Sequence, residues 1–600
     1  MIREEPVQIV EIDLDQCSLT FGVGTCTAAL SVGTQDKCRN TWATCKIAQA
    51  SRDSVFDKGT PLTLRFIKSR PKMPIDGKTY FPRLKSVSTF SSTVNIVGFK
   101  QDLGSLGRRG TVTVNLEDFP YNDMYTDKYA LERKSGDAQY SGIGYDPLEK
   151  STFWTKIRKW SPNYAGRPLR VIDTYIYLDD NGTPQWGPDP KVRHFIMTDI
   201  KQDFDSKSVT VEGKDILSLA EKKSAVAPKV SNGSLATDIS STPSSFDLEP
   251  AGIGNLEYPT SGYAVIGKEV VTFTRSGDTI TLTGRGQEGT EAKTHKAGDT
   301  FQIAKKFTGA FINEVVDYLL NETEIDPSFF DSSEYADEVS RWAPTLRINT
   351  VLTKSEAVTK YLGELTTLGV SMWWDELAQK IKLKMNHPLD YTETVTPVSD
   401  DSSIKAISVD EKDEERLTQV HFYSVQSDPT QSVDDKENYD RITVIVDSES
   451  QGDNFYGDTR IKEVFCRWFN TGNDAAVRTI GTRYLQRFNQ SPKYHSLTVD
   501  KKDGSVNLAD IIAVTSEFIT DENGSPIETN LQVIGRSEIK SGHEVKYTLQ
   551  SYDFAGNSSF IMENDANPYG SATDLELERG CYIVGPSLEF PDGREAYTLM

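Results

Sequence analysis

Histidine, cysteine and long apolar runs are all scarce in this chain, and each scarcity removes a class of function. Six histidines occur in 600 residues, at 194, 295, 387, 421, 495 and 543, and no two stand at metal-ligand spacing. There is no H-E-x-x-H and no G-x-S-x-G, so zinc-protease and α/β-hydrolase readings lack support. A P-loop is also missing. No apolar run approaches the roughly 20 residues needed to span a bilayer, so stable membrane insertion is not expected. The opening Met1-Ile2-Arg3-Glu4-Glu5 carries two acids and lacks the basic-then-apolar layout of a signal peptide. The expectation is a soluble chain folded in a reducing cytoplasm. Basic charge is in deficit: Lys and Arg total 66 against 88 Asp and Glu, a net charge of −22. That balance argues against a DNA binder working by phosphate neutralisation. It leaves room for an acidic wall past which DNA slides without specific binding. A solvated acidic surface is the simpler reading.

What is present points to β structure. The chain is too long for one hydrophobic core, which implies three to five domains. Its 26 Phe, 25 Tyr and 42 Gly, with frequent Thr/Val alternation, favour strands over helices. The fold class expected is multidomain and mainly β, with α+β insertions.

Composition and periodicity divide the chain into segments. Residues 1–50 hold four of the six cysteines and show little periodicity. Residues 51–228 read as a β-rich domain: Pro61–Phe66 and Thr111–Leu116 alternate with period 2, and Tyr175–Leu178 runs into the turn Asp179-Asp180-Asn181-Gly182. Residues 229–255, rich in Ser, Thr, Asn, Gly and Pro, read as a linker. Residues 256–306 form a small β domain in which Val271 and Phe273 lead through Ser276-Gly277-Asp278 to Ile280 and Leu282. Residues 307–390 are α+β. Phe311, Val315, Val316 and Leu319 fall at helical spacing. Thr353-x-x-Glu356 reads as a capping box before Val358, Tyr361, Leu362, Leu365 and Leu368, with Gly369 as the stop. Strands at Val370–Trp374 and Lys380–Met385 follow. Residues 391–560 are again β-rich, with one helix carrying Ile480, Tyr484, Leu485 and Phe488. Residues 561–600 form a polar C-terminal tail, expected to dock on a neighbour or stay mobile.

The strongest chemical signal is Cys17-x8-Cys26-x11-Cys38-x6-Cys45. Four thiolates can complete a tetrahedral zinc site or hold the corners of an iron–sulfur cluster. Gly22, Gly24 and Gly33 between them allow the loops to fold back around a small object. The spacing lacks the paired C-x2-C of a zinc ribbon. Two disulfides or four free thiols are the alternatives, the first disfavoured in a reducing compartment. Cys466 and Cys581 stand alone, and Cys466 reads as a small core residue. Other motifs read as structure. Gly284-x-Gly286-x-x-Gly289 is not followed by an apolar helix and reads as turn chemistry. Asp410–Glu415 reads as a solvated face, and Asp521-Glu522-Asn523-Gly524 as a turn. No pair of carboxylates stands out for glycoside cleavage.

Gln8-Ile9-Val10-Glu11-Ile12-Asp13-Leu14-Asp15-Gln16-Cys17, with Lys37-Cys38-Arg39-Asn40-Thr41-Trp42-Ala43-Thr44-Cys45, resembles the amino-terminal cysteine module of siphophage tail-hub proteins. Ser86–Thr89, Asn95–Gly98, Thr152–Lys156 and Gly166–Val171 resemble that family's first β domain. Tyr263–Phe301, with Ile266–Glu269, Gly284–Thr290 and His295, resembles its small β insertion, and the helix at 475–488 its later β domain. The likeness runs to about residue 560. Its cysteine module is specific by itself, and the other pieces match through their order.

The resemblance implies a tail-hub architecture: a homotrimeric ring below the distal tail protein that closes the tail tube and anchors fibres. The tape measure protein and tail fibres would be further partners. It implies a place in the virion, at the tail tip or baseplate, with assembly in the host cytoplasm and opening for genome ejection. Lambda-type tail-tip proteins and gene transfer agent hubs are associated with a cysteine-held iron–sulfur cluster. By position, Cys17, Cys26, Cys38 and Cys45 would be the ligands, with a 4Fe–4S cluster expected and zinc as the alternative. No catalytic residue carries over, so no enzyme is expected. The competing functional readings are a virion-associated cell-wall-degrading enzyme and a receptor-binding adhesin.

Overall fold

The computed structural model describes residues 5–552, 554, 567 and 569–573, apart from 32–33, 69–72, 91, 97–105, 377, 390–394, 401–402, 453–456, 470–471, 501–502 and 541–543. The expected docking or mobility of the tail at 561–600 therefore falls almost wholly outside the described residues. The chain is mainly β, with several sheets and inserted helices, as its composition predicts.

The first unit is a nine-stranded sheet. Its order is Tyr80–Phe81, Leu62–Ile67, Glu5–Leu14, Pro168–Leu178, Lys191–Asp203, Ser208–Lys214, Thr111–Glu117 and Leu84–Phe90, with Pro184–Trp186 paired to Pro168–Leu178. Thr111–Glu117 shows why these residues form strands: Val112, Val114 and Leu116 are buried while the polar residues between them are half-buried. Those three pack with Val10, Phe66 and Trp154 in one core. The Asp179 carboxylate shapes the tight turn, accepting from the N–H groups of Asn181 and Thr183 at 2.9 and 2.8 Å.

Glu5–Leu14 is a finding that the weak periodicity of residues 1–50 hides. It lies inside the sheet, antiparallel to both Leu62–Ile67 and Pro168–Leu178. Its side chains feed two cores, Val10, Ile12 and Leu14 one and Val7 and Ile9 the other, so its apolar residues do not alternate cleanly. Glu11 and Asp13 are neutralised by Arg65 and Arg170.

Residues 229–255 differ from the expected linker. They carry strands Ser234–Leu235 and Ser245–Glu249 and helix Ile253–Glu257, and the two strands begin a seven-stranded sheet. Leu235, Phe246 and Leu248 are buried in that sheet's core, and three apolar positions among many Ser and Thr residues are too sparse to register as a strand pattern. The sheet's strand Phe301–Ala310 also pairs with Ile348–Leu352, which joins the small β unit to the helical layer.

That layer contains helices Ile312–Asn321, Ser332–Trp342 and Val358–Thr366, with the hairpin Val370–Asp375/Lys380–Met385. The capping box at Thr353 does not form. Thr353 is buried and donates to the Pro429 carbonyl oxygen at 2.8 Å, while Glu356 lies in a short strand paired with Ala227. Gly369 does end the segment, at φ +87°.

A six-stranded sheet follows, ordered Thr396–Ser399, Ile511–Thr520, Pro526–Lys540, Glu544–Ser551, Lys493–Asp500 and Ile404–Glu411. A three-stranded sheet, Tyr439–Val446, Gln419–Gln426 and Ile461–Phe465, packs beside helix Asp474–Phe488. One continuous core runs from Val315 and Leu365 through Trp468 and Tyr484 to Leu549, so the segments 307–390 and 391–560 share their interior.

Candidate metal centre

The four cysteines lie in the loop between the first two long strands. Its neck is closed by backbone bonds: Gly59 N–H donates to Gln16 O and Ser18 N–H to Asp57 O, both at 2.9 Å. Within the loop the chain turns back through Gly22 (φ +72°) and Gly24 (φ +63°), which brings Cys26 toward Cys17. Gly33 lies outside the described residues. Asn40 then ties the halves together. Its carbonyl accepts from Cys17 N–H at 2.7 Å, and its side chain donates to the carbonyls of Cys17 and Leu19. A single 3-10 turn, Trp42–Thr44, carries the chain on to Cys45.

All four predicted ligands line one cavity of about 360 Å³, open space included, whose walls include Ala28 and Ile47. All four are unpaired, so the two-disulfide alternative does not describe this structure. Cys26 is buried and the others are half-buried. Among the described residues, no three His, Cys, Asp or Glu side chains converge where a single metal ion could sit. A lone zinc draws its sulfurs to about 2.3 Å from one point. A cluster spreads its cysteines over several corners. Four thiols ringing one cavity are a donor set chemically suited to either.

Burial pushes the Cys38 thiol up, and charge on Cys45, Cys26 or Cys17 would push it further, against a hydrogen bond from the Asn40 N–H. Four thiolates there would need a cation to exist together.

The other half of the module was not visible in the sequence. Residues 118–160 wrap the cysteine loop. Tyr129 and Ala138 share a small core with Phe21, Cys26 and Ile47, and the Tyr129 hydroxyl accepts from Phe21 N–H at 2.7 Å. Arg133, 1% exposed, bonds Asp127 and donates to the carbonyls of Lys37 and Cys38. Arg39 lies over the Trp160 ring and pairs with Asp127. Arg52 donates to the carbonyls of Cys45 and Ile47. The only sequence signal was negative: between Glu117 and Pro168 the strand alternation stops. A cleft of about 660 Å³ separates the module from the sheet, with Trp42, Phe56 and Trp160 on its walls and Asp15 held by Lys58 and Arg167.

The remaining motifs resolve as structure. Gly284 and Gly286 end strand Thr279–Gln287, and Gly286 and Gly289 have positive φ, as turn chemistry requires. Cys466 is fully buried, and its thiol is pushed far up by that burial. Cys581 lies outside the described residues. Asp521 accepts from the N–H groups of Asn523 and Ser525 in a turn. The acidic run is more than a solvated face: Asp413 bonds Arg416, Arg460 and Ser491, and Glu415 accepts from Tyr494.

No protein-family model matches the chain, and no curated protein matches it. Among solved structures it is similar to a tail protein from Neisseria meningitidis MC58, at 11% identity and TM-score 0.32, over 65% of this chain and 89% of that one. It is similar to the 43 kDa tail protein of prophage MuSo2 from Shewanella oneidensis, at 10% identity and TM-score 0.34, over 78% and 98% of the two chains. A chain of a native gene transfer agent virion matches at 10% identity and TM-score 0.25, over 46% and 65%. At TM-scores from 0.25 to 0.34 these are loose likenesses that establish neither fold nor role.

Proposed function

We propose that this chain is a structural hub of a phage tail tip or baseplate, acting as a homotrimeric ring that closes the tail tube and anchors fibres. In the same proposal Cys17, Cys26, Cys38 and Cys45 hold an iron–sulfur cluster of the 4Fe–4S kind. One observation carries this reading. The cysteines that make the resemblance specific are unpaired and line one cavity, in a loop rooted between strands of the nine-stranded sheet. A cluster bound there would staple loop to sheet and supply a one-electron redox centre. The chain's own contribution is to orient the thiols through Asn40, Arg52 and Arg133, which hold the cysteine carbonyls from outside.

A ring also needs subunit surfaces. Ile442, Val444, Val446 and Ile461, each 43–49% exposed, share the face of the three-stranded sheet turned away from helix Asp474–Phe488. Tyr439–Val446 pairs on one side only among the described residues. An exposed apolar face beside an open edge suits coverage by a neighbouring copy.

The test has two arms. Light scattering of the purified full chain, alone and with the distal tail protein, should give three copies and a complex. A stable monomer without affinity for tail proteins would overturn the hub. Protein made without oxygen should be brown and contain iron. Stoichiometric zinc in a colourless protein would replace the cluster and leave the hub, and no metal at all would remove the metal centre.

A further inference from the structure

Where the nine-stranded sheet, the Val370–Asp375 hairpin and the six-stranded sheet meet, acid outnumbers base among the described residues. A pocket of about 310 Å³, open space included, lies there, with Ser92, Trp374, Glu376, Asn507 and Arg536 on its walls. The three units touch directly around it. Val94 N–H donates to Ile534 O at 2.8 Å, Thr93 bridges to Gly535, and Ser92 Oγ donates to Trp374 O at 3.5 Å.

Glu376 is in the turn of the hairpin and faces charge from every side. Arg193 comes from strand Lys191–Asp203, Arg536 and Glu538 from strand Pro526–Lys540, and Asp215 from the residue before the turn Ile216–Glu221. Asp375 is its chain neighbour. Both guanidiniums already have anionic partners: Arg193 bonds Asp173 at 2.6 Å and Thr89 at 2.7 Å, and Arg536 lies 3.6 Å from Glu538 and donates to Gly504 O. Arg109, which faces Asp215, bonds Glu221 at 2.9 Å. Asp215 and Glu376 are left as the excess acid. One oxygen of Asp215 accepts from Gly110 N–H at 2.8 Å, while its other oxygen and Glu376 Oε1 are buried without a hydrogen-bond partner among the described residues. A Cβ at residue 110 would come within 3.1 Å of Glu376 Oε1, so Gly110 leaves the space this carboxyl occupies.

Ionising both acids would place more negative charge in the junction than Arg193, Arg536 and Arg109 balance, which burial disfavours. We propose that Glu376 is a proton-operated latch: protonated, it keeps its carboxyl Oε1 buried where the two sheets and the hairpin meet, and losing the proton loosens their contact. It rests on neither the metal centre nor the tail reading.

Burial pushes Glu376 up to about 7, against Arg193 and Arg536 and helped by Asp215 and Asp375. Burial likewise pushes Asp215 up to about 6, with Arg109 opposing. The two titrate as a pair. An opened junction returns both to the ordinary carboxylate range, so the closed form binds more protons. Closure is therefore strongest below that range and is lost as pH rises through about 7.

The test is hydrogen exchange of the full chain at pH 6 and pH 8, corrected for intrinsic exchange, read at Val370–Asp375 and Leu531–Lys540. In the wild type, junction opening should increase about tenfold across that interval. In Glu376→Gln, which keeps the neutral shape, the increase should fall to about twofold, the share of Asp215, and Asp215→Asn should reduce it less. The same response in Glu376→Gln as in wild type would overturn the proposal, as would a wild type indifferent to pH. A second readout needs no variant. The infrared carbonyl stretch of a protonated buried carboxyl should vanish between pH 6 and pH 8, and its absence at pH 6 would also overturn the latch.

Discussion

Arg133 Nη2 lies 2.7 Å from the carbonyl oxygen of Cys38, across 95 residues of sequence. The same guanidinium bonds the Asp127 carboxylate at 2.6 Å, and both side chains are essentially fully buried. One side chain thus couples the wrapping segment at 118–160 to the cysteine loop, and the loop's geometry depends on a residue outside it.

Replacing Arg133 should therefore uncouple the two halves. Arg133→Met keeps the packing volume but leaves Asp127 with Arg39, at 3.4 Å, and the Tyr129 N–H, at 3.1 Å, and the carbonyls of Lys37 and Cys38 without their donor. The expected loss is about 3 kcal/mol, as for breaking other buried ion pairs. Denaturant unfolding measures it, and limited proteolysis should cut the variant first between residues 16 and 59. Arg133→Lys should recover little, because one ammonium cannot match the fork that serves Asp127, Asp36 and the carbonyls of Lys37 and Cys38.

Two cysteine variants separate ligand from core. If the four cysteines hold the proposed centre, Cys38→Ser should abolish most bound metal and expose the loop to protease, since metal bound there would also be folding energy. Cys466→Ala should leave metal content unchanged, because Cys466 is fully buried among apolar residues and outside the cavity of the other four. Metal analysis on both proteins decides it, and equal metal loss in the two would count against a localised centre.

Sequence patterns carried the β-rich class, the helix ending at Phe488 and the grouping of the four cysteines. Each of these rests on local spacing: a period of two, a period of 3.6, or clustering within 29 residues. What they could not carry was long-range. Tyr129, Arg133 and Asp127 belong to the cysteine module only because the fold returns residues 118–160 to it. Glu5–Leu14 reads poorly because it is buried on both sides, so its apolar residues serve two cores. The Thr353 capping box matched a local template but lost to a tertiary bond with Pro429.

The small β unit should be sensitive to acid through Glu269. Its carboxylate receives Arg285 bidentately at 2.7 and 2.9 Å, the N–H groups of Gly286 and Lys293, and His295 Nε2 at 2.8 Å. Burial alone would push Glu269 up, but Arg285 and the other donors outweigh it and hold the group at about 2. Its folded value is below its unfolded one, so its stabilisation is present above the ordinary carboxylate range and is lost as pH falls toward 2. Glu269→Gln should cost about 3 kcal/mol by leaving Arg285 without its counter-charge. It should also flatten the acid limb of the unfolding profile, read by hydrogen exchange of Ser261–Ile266.

Helix Asp474–Phe488 meets the three-stranded sheet closely at Gly481. A Cβ built there would sit 2.2 Å from Ile445 Cδ1, on the sheet face opposite Val444 and Val446. Alanine is the better helix former by about 1 kcal/mol, so on helix propensity alone Gly481→Ala should stabilise. The contact reverses the sign: either Ile445 leaves its rotamer or the helix lifts, a strain of about 1–3 kcal/mol. Gly481→Ala should lower stability, and Ile445→Ala by itself should lower it too, by opening a void. Combined, the new methyl group fills part of that void, so the double variant should be more stable than the two single losses predict. Denaturant unfolding of all four proteins measures the coupling, and strict additivity would show that helix and sheet do not press together at this point.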